Sequence, residues 1–320
     1  MPATEFDIIE QVFKRGALQG KSVICGIGDD AAVLELPPNQ QLVVSTDTLV
    51  SDVHYFHDAD PFDIGYKSLA VNLSDMAAMA AEPLWVTLCL TLPANDPVWI
   101  QKFADGFFTL ANKYGVSLVG GDLTHGPLSI SIQIMGAVPH DTALKRSEAK
   151  PGELVYVTGK LGMAALALAI LKGEAGMFDV PPGACLDKLN RPEPRLDIGT
   201  AIRDIAGAAI DISDGLAADL GHVLKASSVG AEIELGKIPV YEELSKLDEV
   251  AMWHCALSGG DDYELCFTAH ERHQNTLKQI SQDIACPINC IGKITPGDRI
   301  KWMSPEGENK DIPASGYRHF

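Results

Sequence analysis

The chain has 320 residues, 46% of them apolar, with 43 acidic against 25 basic side chains and a formal charge of −18. That length favours two cores over one. The acidic balance argues against a general nucleic-acid binder, which needs a basic face, and against adhesion to an anionic membrane, but is compatible with an anionic small substrate held through metal ions.

In chain order, MPATEFDIIE has neither a basic start nor an apolar core, so no signal peptide is expected. The stretch TEFDIIEQVFKRG reads as a first helix, with Thr4 as cap and Phe6, Ile9, Val12 and Phe13 on one face. The runs DAAVLEL and QLVVSTD read as strands. A long helix is expected over 61–81, ending before Pro83. It is followed by strand LWVTLCLTL, helix PVWIQKFADGFFTLANKYG, and strands VSLVGG and LSISIQIMGAV. The polar stretch 139–153, PHDTALKRSEAKPGE, is the expected boundary between domains.

Beyond it come strand LVYVTG, helix LGMAALALAILKG, a Pro-rich passage at 181–194 and a helix near 197–206. Strand AAIDIS, helix GLAADLGHVLKAS and strand AEIEL follow. The closing elements are YELCFTA, a helix near 271–284, INCIGKIT and IKWM. Helices and strands alternate in both halves with strand-turn-strand passages, giving an α/β (α+β) fold class of two mixed-sheet α/β domains. The halves echo each other in a strand ending Gly-Gly-Asp, LVGGD and LSGGD. The most apolar run, 163–173, is too short to span a bilayer. Seven cysteines without a C-x-x-C pair sit mostly in apolar runs, which points to buried, reduced thiols in a soluble cytoplasmic protein.

One device recurs along the chain. GIGDDAAV (26–33), VVSTDTLV (43–50), VNLSDMAAM (71–79), LVGGDLT (118–124), AIDISDG (209–215) and LSGGDDYEL (257–265) each set aspartate against an apolar run among Gly, Ser, Thr or Asn. Clustered carboxylates repel and need a counter-charge. Carboxylates and hydroxyls are the hard oxygen ligands of Mg²⁺, and neighbouring glycines let backbone N–H groups approach phosphate oxygens. Metal-mediated polyphosphate binding is the chemistry this pattern suits. Singly, the motifs have plainer readings: Asp211 or Ser213 could cap a helix beginning near Gly215. Asp75 is harder to read so, because SLAVNLSDMAAMAA is apolar nearly all round and a carboxylate inside it needs a polar partner. Asp30 and Asp47, expected on neighbouring strands, face the same demand. A Walker loop, the protein-kinase motif set, the second aspartate of haloacid-dehalogenase phosphatases, H-E-x-x-H and G-x-S-x-G are all missing from the sequence.

GIGDDAAV, STDTLVSDVHY, KSLAVNLSDMAAMAAEP, LVGGDLT, AIDISDG and LSGGDDYEL, in this order, resemble the thiamine-monophosphate kinase family of the aminoimidazole-ribonucleotide-synthetase-like ATP-binding superfamily. The resemblance runs from about residue 4 to the C-terminus. It implies transfer of the γ-phosphoryl of ATP to thiamine monophosphate, giving thiamine diphosphate and ADP. It also implies a homodimer in which N-terminal strands of two subunits form a shared β-barrel with ATP in the cleft beside it. Residues 1–140 would be the N-terminal ATP/Mg-binding and dimerisation domain and 150–320 the C-terminal α/β domain.

Position by position, the resemblance implies Asp30, Ser45, Thr46, Asp47, Asp75, Asp122, Asp211 and Asp214 as ligands of several Mg²⁺ ions, with Ser45, Thr46 and Asp47 acting from one turn. Gly121 and Asp122 match a nucleotide-phosphate turn, Arg146 a phosphate-binding arginine, and Ser213 an ATP contact. His54, Asp262 and Tyr317 match positions touching thiamine monophosphate, and Asp29 a partner of Asp30. ATP is the co-substrate, and the resemblance leaves room for K⁺. A phosphate-monoester acceptor is already largely deprotonated near neutral pH, so direct in-line transfer needs no general base, only positioning and charge neutralisation, with Asp47, Asp122 and Arg146 most critical. Two competing readings are a sister enzyme such as selenophosphate synthetase, whose reactive Cys and Lys in a Gly-rich start have no counterpart here, and a non-catalytic Mg-nucleotide-binding module.

Overall fold

The computed structural model describes residues 4–18, 20–174, 182–312 and 316–317. The chain divides into two compact units, Met1–Met76 with Ala81–Asp141, and Ala77–Ala80 with Thr142–Phe320.

In the first unit, Thr4 caps α1 (Glu5–Ile8) through a reciprocal pair: its Oγ1 accepts from Asp7 N–H, and the Asp7 carboxylate accepts from Thr4 N–H at 2.8 Å. The helix continues as a π-helical stretch, Ile9–Lys14. That widened turn changes the buried face from the one expected. Ile8 and Phe13, five residues apart, are buried, and Phe6 is exposed. β1 (Val23–Cys25) and β2 (Val33–Leu34) form a two-stranded antiparallel ribbon with GIGDDAA, residues 26–32, as its connection.

A four-stranded sheet comes next. β3 (Gln40–Val50), α2 (Pro61–Ala78), β4 (Glu82–Leu92), α3 (Pro97–Tyr114), β5 (Ser117–His125) and β6 (Ser129–Pro139) follow in chain order, and the strands lie in the order β3-β6-β4-β5. Only β4 and β5 run parallel, as a strand–α3–strand unit requires. Asp96 caps α3, accepting from the N–H groups of Val98 and Trp99, and Gly115 ends it in the left-handed region. Strand alternation buries Ile130, Ile132 and Ile134 of β6 and Val86, Leu88 and Leu90 of β4 on one face. The other face leaves Leu42 and Val44 of β3 exposed at 52% and 48%.

The second unit is built on seven strands in the order β13-β12-β9-β11-β7-β10-β8, antiparallel except for β12 with β9. In chain order its elements are β7 (Leu154–Thr158), α4 (Met163–Leu171), α5 (Pro182–Asn190), α6 (Leu196–Ile202), β8 (Ala206–Asp211), α7 (Leu216–Ser227), β9 (Gly230–Glu234), α8 (Glu249–Ser258), β10 (Leu265–Ala269), α9 (Gln274–Asp283), β11 (Ile288–Thr295), β12 (Ile300–Met303) and β13 (Asn309–Lys310). Val155, Val157, Ile210, Ile233 and Ile291 from the strands meet Leu166, Leu220 and Leu257 from the helices in one core.

Both units are mixed α/β, as the alternation of elements implied. Several details differ. The Pro-rich passage, whose residue 181 lies outside the described residues, folds as α5 up to Asn190, because Pro182 sits at the helix start where its missing N–H costs nothing. Helix α8 was not foreseen. Its N-cap is Asp248, whose carboxylate accepts from Ala251 N–H. It also ends the supposed echo of LVGGD and LSGGD, since Leu257 and Ser258 are helical while Leu118 and Val119 lie in β5. Cys185, Cys255, Cys266 and Cys286 are buried thiols, but Cys89 is exposed because strand alternation turns it to the open face of the first sheet. Among the described residues no helix is long and apolar enough to cross a membrane.

Candidate functional site

In the first unit, Ser45, Thr46 and Asp47 do not share a turn. They lie in the middle of β3, paired with Ile134, Gln133 and Ile132 of β6. The β-branched run VVSTDTLV favours the extended strand, and the two-residue period sends Ser45 and Asp47 to one face and Thr46 to the other. On the first face the Ser45 hydroxyl donates to Asp75 Oδ2. That is the polar partner Asp75 needed, though the carboxylate is half-buried, not enclosed. Asp122 is exposed on β5 opposite Cys89, after Gly121, whose φ of +149° and 1.8 Å approach of a Cβ to Leu88 O admit no side chain.

Asp30 is exposed in the turn of the β1–β2 ribbon, not on a strand beside β3. Gly28, at φ +123°, turns the chain ahead of the expected strand, of which only Val33 and Leu34 pair, as β2. The Asp29 carboxylate accepts from Asp30 N–H at 2.9 Å and so fixes the neighbouring peptide. His54 sits half-buried beyond the end of β3, where its Nδ1 accepts from Val50 N–H at 3.0 Å. That bond leaves Nε2 as the proton-bearing nitrogen of the neutral ring. Burial, and then the charge of Asp52, push the neighbouring Tyr55 hydroxyl well above its ordinary range.

In the second unit, two of the acidic motifs are joined by their backbones. β8 and β10 pair so that Asp211 faces Leu265. Beyond them Ile212 N–H donates to Glu264 O, Tyr263 N–H to Ile212 O, and Asp261 N–H to Ser213 O, each at 2.8 Å. Gly260, Asp261 and Tyr263 all have positive φ (69°, 61° and 51°). Two of these are not glycine, and such backbone conformations persist only where the surroundings hold them, often at functional sites. Tyr263 Oη donates to Asp261 Oδ1 at 2.9 Å within the same turn. The C-terminal segment joins the group, with Tyr317 N–H donating to Asp214 O at 3.3 Å.

Neither Asp211 nor Ser213 caps α7. Its N-cap is Gly215, which has no side chain to offer. Asp219 answers that end instead, its Oδ2 accepting from Asp214 N–H at 3.0 Å and Gly215 N–H at 3.1 Å. Burial, then the charges of Asp211 and Asp214, push the Asp219 carboxyl up to about 8. The carboxylates of Asp211 and Asp214 add negative charge beside it, which a bound cation would offset. Arg146 is exposed on a 3₁₀ turn, and its carbonyl accepts from the Ser227 hydroxyl at 2.8 Å.

Asp262 Oδ1 accepts from Gly162 N–H at 2.8 Å, while its Oδ2 is buried with no hydrogen-bond partner among the described residues. Burial, more than the charges of Glu264, Asp261 and Asp219, holds this carboxyl well above the usual range. Asp262 borders a water-sized cavity of about 10 Å³ with Lys160, Met163, Arg195 and Tyr241. A larger cavity of about 820 Å³ lies between α7 and the β12–β13 edge, near Leu224, Arg299 and Trp302, and none of the expected site residues lines it.

The expected metal ligands are all oxygen donors. Among the described residues the one group of His, Cys, Asp or Glu ligand atoms within 4.8 Å of one another is Asp214, Asp219 and His222. Such a dispersed oxygen set suits Mg²⁺, which keeps waters and takes phosphate oxygens instead of a closed protein cage. Sequence reasoning missed Asp219, although its place in the first turn of the helix after DISDG was a legible signal. It also missed a buried network. Glu264, whose side chain is 5% exposed, accepts from Arg195 Nε at 2.7 Å, Arg195 Nη2 at 2.5 Å and Thr158 Oγ1 at 2.6 Å. Nothing local in sequence links residues 158, 195 and 264.

Two family models match the chain: the N-terminal domain of AIR synthase related protein over residues 28–138 and its C-terminal domain over 150–303. The thiamine-monophosphate kinase of Escherichia coli (strain K12) is 45% identical over 324 residues, covering 100% of this chain and 99% of that protein. The crystal structure of thiamine-monophosphate kinase from Stenotrophomonas maltophilia K279a is similar with a TM-score of 0.87 and 41% identity, over 97% of this chain and 99% of that one. The structure named "AaThiL complexed with AMPPCP and TMP" is similar with a TM-score of 0.78 and 30% identity, over 99% and 97%.

Proposed function

The chain belongs to the thiamine-monophosphate kinase family, and on that premise we propose that it transfers the γ-phosphoryl group of ATP to thiamine monophosphate, yielding thiamine diphosphate and ADP by direct in-line displacement. The observation that carries the reading is the backbone pairing of the DISDG segment with the SGGDDYEL segment, which sets the proposed phosphate-side residues beside a buried carboxyl oxygen that has no hydrogen-bond partner among the described residues. A relative described as holding both an ATP analogue and TMP supports the two-substrate reading.

Asp30, Ser45, Asp47, Asp75 and Asp122 of the first unit and Asp211 and Asp214 of the second are the proposed Mg²⁺ ligands, with Thr46 contributing from the opposite face of β3. Bound Mg²⁺ ions supply charge neutralisation between donor and acceptor phosphates. Gly121 lets its backbone approach a phosphate oxygen, Ser213 contacts ATP, and the Arg146 guanidinium, on an exposed turn, neutralises phosphate charge. His54, with its proton on Nε2, donates to an acceptor on thiamine monophosphate. Asp262, whose buried setting favours the protonated form, presents an O–H donor for a ring nitrogen of the aminopyrimidine. Tyr317, 48% exposed, closes over the same substrate. No side chain is assigned as general base.

In this reading residues 1–140 form the ATP/Mg-binding and dimerisation domain and 150–320 the second α/β domain. The protein is a cytoplasmic homodimer. Exposed Leu42 and Val44, on the outward face of the edge strand β3, support a second copy covering the open face of the first sheet.

The test is a product assay with purified protein, Mg²⁺ and ATP, with thiamine monophosphate, free thiamine, selenide or no acceptor. Thiamine diphosphate formed only from the monophosphate is the expected result. ATP consumed with selenide alone would move the chain to a sister enzyme. Tight nucleotide binding without any turnover would make it a binding module.

A further inference from the structure

Asp219 lies in the first turn of α7 and is 2% exposed. Its Oδ2 reaches back past its own helix start to the N–H groups of Asp214 and Gly215. The tripeptide Ser213–Asp214–Gly215 is thereby held on both edges. Its carbonyls at 213 and 214 accept from the N–H groups of Asp261 and Tyr317, and its amides at 214 and 215 donate to Asp219. Gly215 lies close against the end of α8, where a Cβ would lie 2.8 Å from Leu257 O, and its φ of +111° is one that a residue with a side chain adopts only under strain. Without the Asp219 acceptor, two N–H groups in this packed turn lose their partner, and the turn must move to reach another.

We infer that Asp219 is a positioning residue, which sets the backbone of the Ser213–Gly215 turn and through it the direction of the Asp214 carboxylate. The inference rests on the proposed role of Asp214 as a metal ligand. The competing role for Asp219 is direct ligation, since its carboxylate, that of Asp214 and a ring nitrogen of His222 lie within 4.8 Å of one another. The two roles differ in what an isosteric amide does. Asparagine keeps a carbonyl oxygen that can accept both N–H groups but carries no charge for a cation.

The experiment measures Mn²⁺ binding by electron paramagnetic resonance, on the full chain with a non-hydrolysable ATP analogue, and amide exchange of the 210–220 peptide. Asp219→Ala should weaken Mn²⁺ binding by about 10–100-fold, the usual effect of losing a group that orients a ligand, and should speed exchange at 214 and 215. Asp219→Asn should stay within about threefold of wild type in Mn²⁺ affinity and keep exchange slow. Leu277→Ala, a core truncation in α9, should lower the melting temperature without moving the Mn²⁺ affinity, separating general destabilisation from the specific effect. If Asp219→Ala fails to fold, Asp219→Ser replaces it with the same expectation. Unchanged Mn²⁺ affinity in the truncated variant, beside a loss in Asp214→Asn, overturns the positioning role alone. A loss in Asp219→Asn equal to that in Asp219→Ala overturns it in favour of direct ligation. Normal Mn²⁺ affinity in Asp214→Asn removes the metal-site reading, and the inference with it.

Discussion

Replacing Arg195 with methionine removes the guanidinium from Glu264 while keeping most of the apolar stem. Two charge-assisted hydrogen bonds disappear, from Nε and Nη2, and Glu264, whose side chain is 5% exposed in the native packing, keeps the Thr158 hydroxyl as a donor. Each such bond contributes about 1.5–3 kcal/mol, and breaking a buried ion pair by removing one partner costs about 3–5 kcal/mol. Arg195 is itself only 15% exposed, so solvent screening reduces this little. Thr158 also accepts from Leu265 N–H, so the loss is transmitted to β7 and β10. Hydrogen exchange of peptides spanning 154–158 and 265–269 reads it directly. At about 1.4 kcal/mol per tenfold, the slowest amides there should exchange roughly 10² to 4 × 10³ times faster. Arg195→Met with Glu264→Met should lose less than the sum of the singles, because neither charge is then stranded. Exchange altered by less than tenfold in Arg195→Met would refute the argument that this pair anchors the strand leading out of the Asp262 turn.

Asp47→Asn and Asp122→Asn should each abolish turnover while circular dichroism and melting temperature stay near wild type; near-normal activity in either removes that residue from the metal site. Asp262 has a folded pKa above its unfolded value, so the unfolded state releases its proton first and the carboxyl destabilises the fold increasingly as pH rises from the unfolded pKa towards the folded one. Asp262→Asn should therefore raise the melting temperature more at pH 8 than at pH 4, and an equal gain at both would contradict the burial argument. Gly106→Ala sets a Cβ 1.9 Å from Phe62 O in the neighbouring helix, so α2 and α3 must part, at about 1–3 kcal/mol in denaturant unfolding. Val44→Lys on the open face of β3 should turn a dimer into a monomer in light scattering, and an unchanged mass would place the subunit contact elsewhere.

Much of the fold was legible because its signals are local. Asp96-Pro97 announces the start of α3 and Gly115 its end. The alternation in β6 and the apolar run of β4 declare strands. What escaped was set by other parts of the chain or by departures from a regular period. The π-helical turn rotates the first helix by less than a 3.6-residue reading allows, so Phe6 faces out. Helix α8 is amphipathic only weakly and lies between polar turns. The SGGDD turn reads as a strand end until β8 is laid beside it. The candidate site divides in the same way. Its acidic motifs stand out by composition, whereas the pairing of Ser45 with Asp75 and the support of Glu264 by Arg195 require residues 30 and 69 positions apart to meet.

The hydrogen bonds from 261 to 213 and from 263 to 212 make one mechanical piece of the two segments proposed to recognise the substrates. Neither can stiffen alone. A ligand that quiets the DISDG side removes freedom from the SGGDDYEL side through the same peptide links, and the second ligand finds that entropy already spent. Cooperative arrival of metal–nucleotide and acceptor then needs no hinge and no displacement. It would be visible as narrowed fluctuations at Asp262 when only the phosphate side is filled.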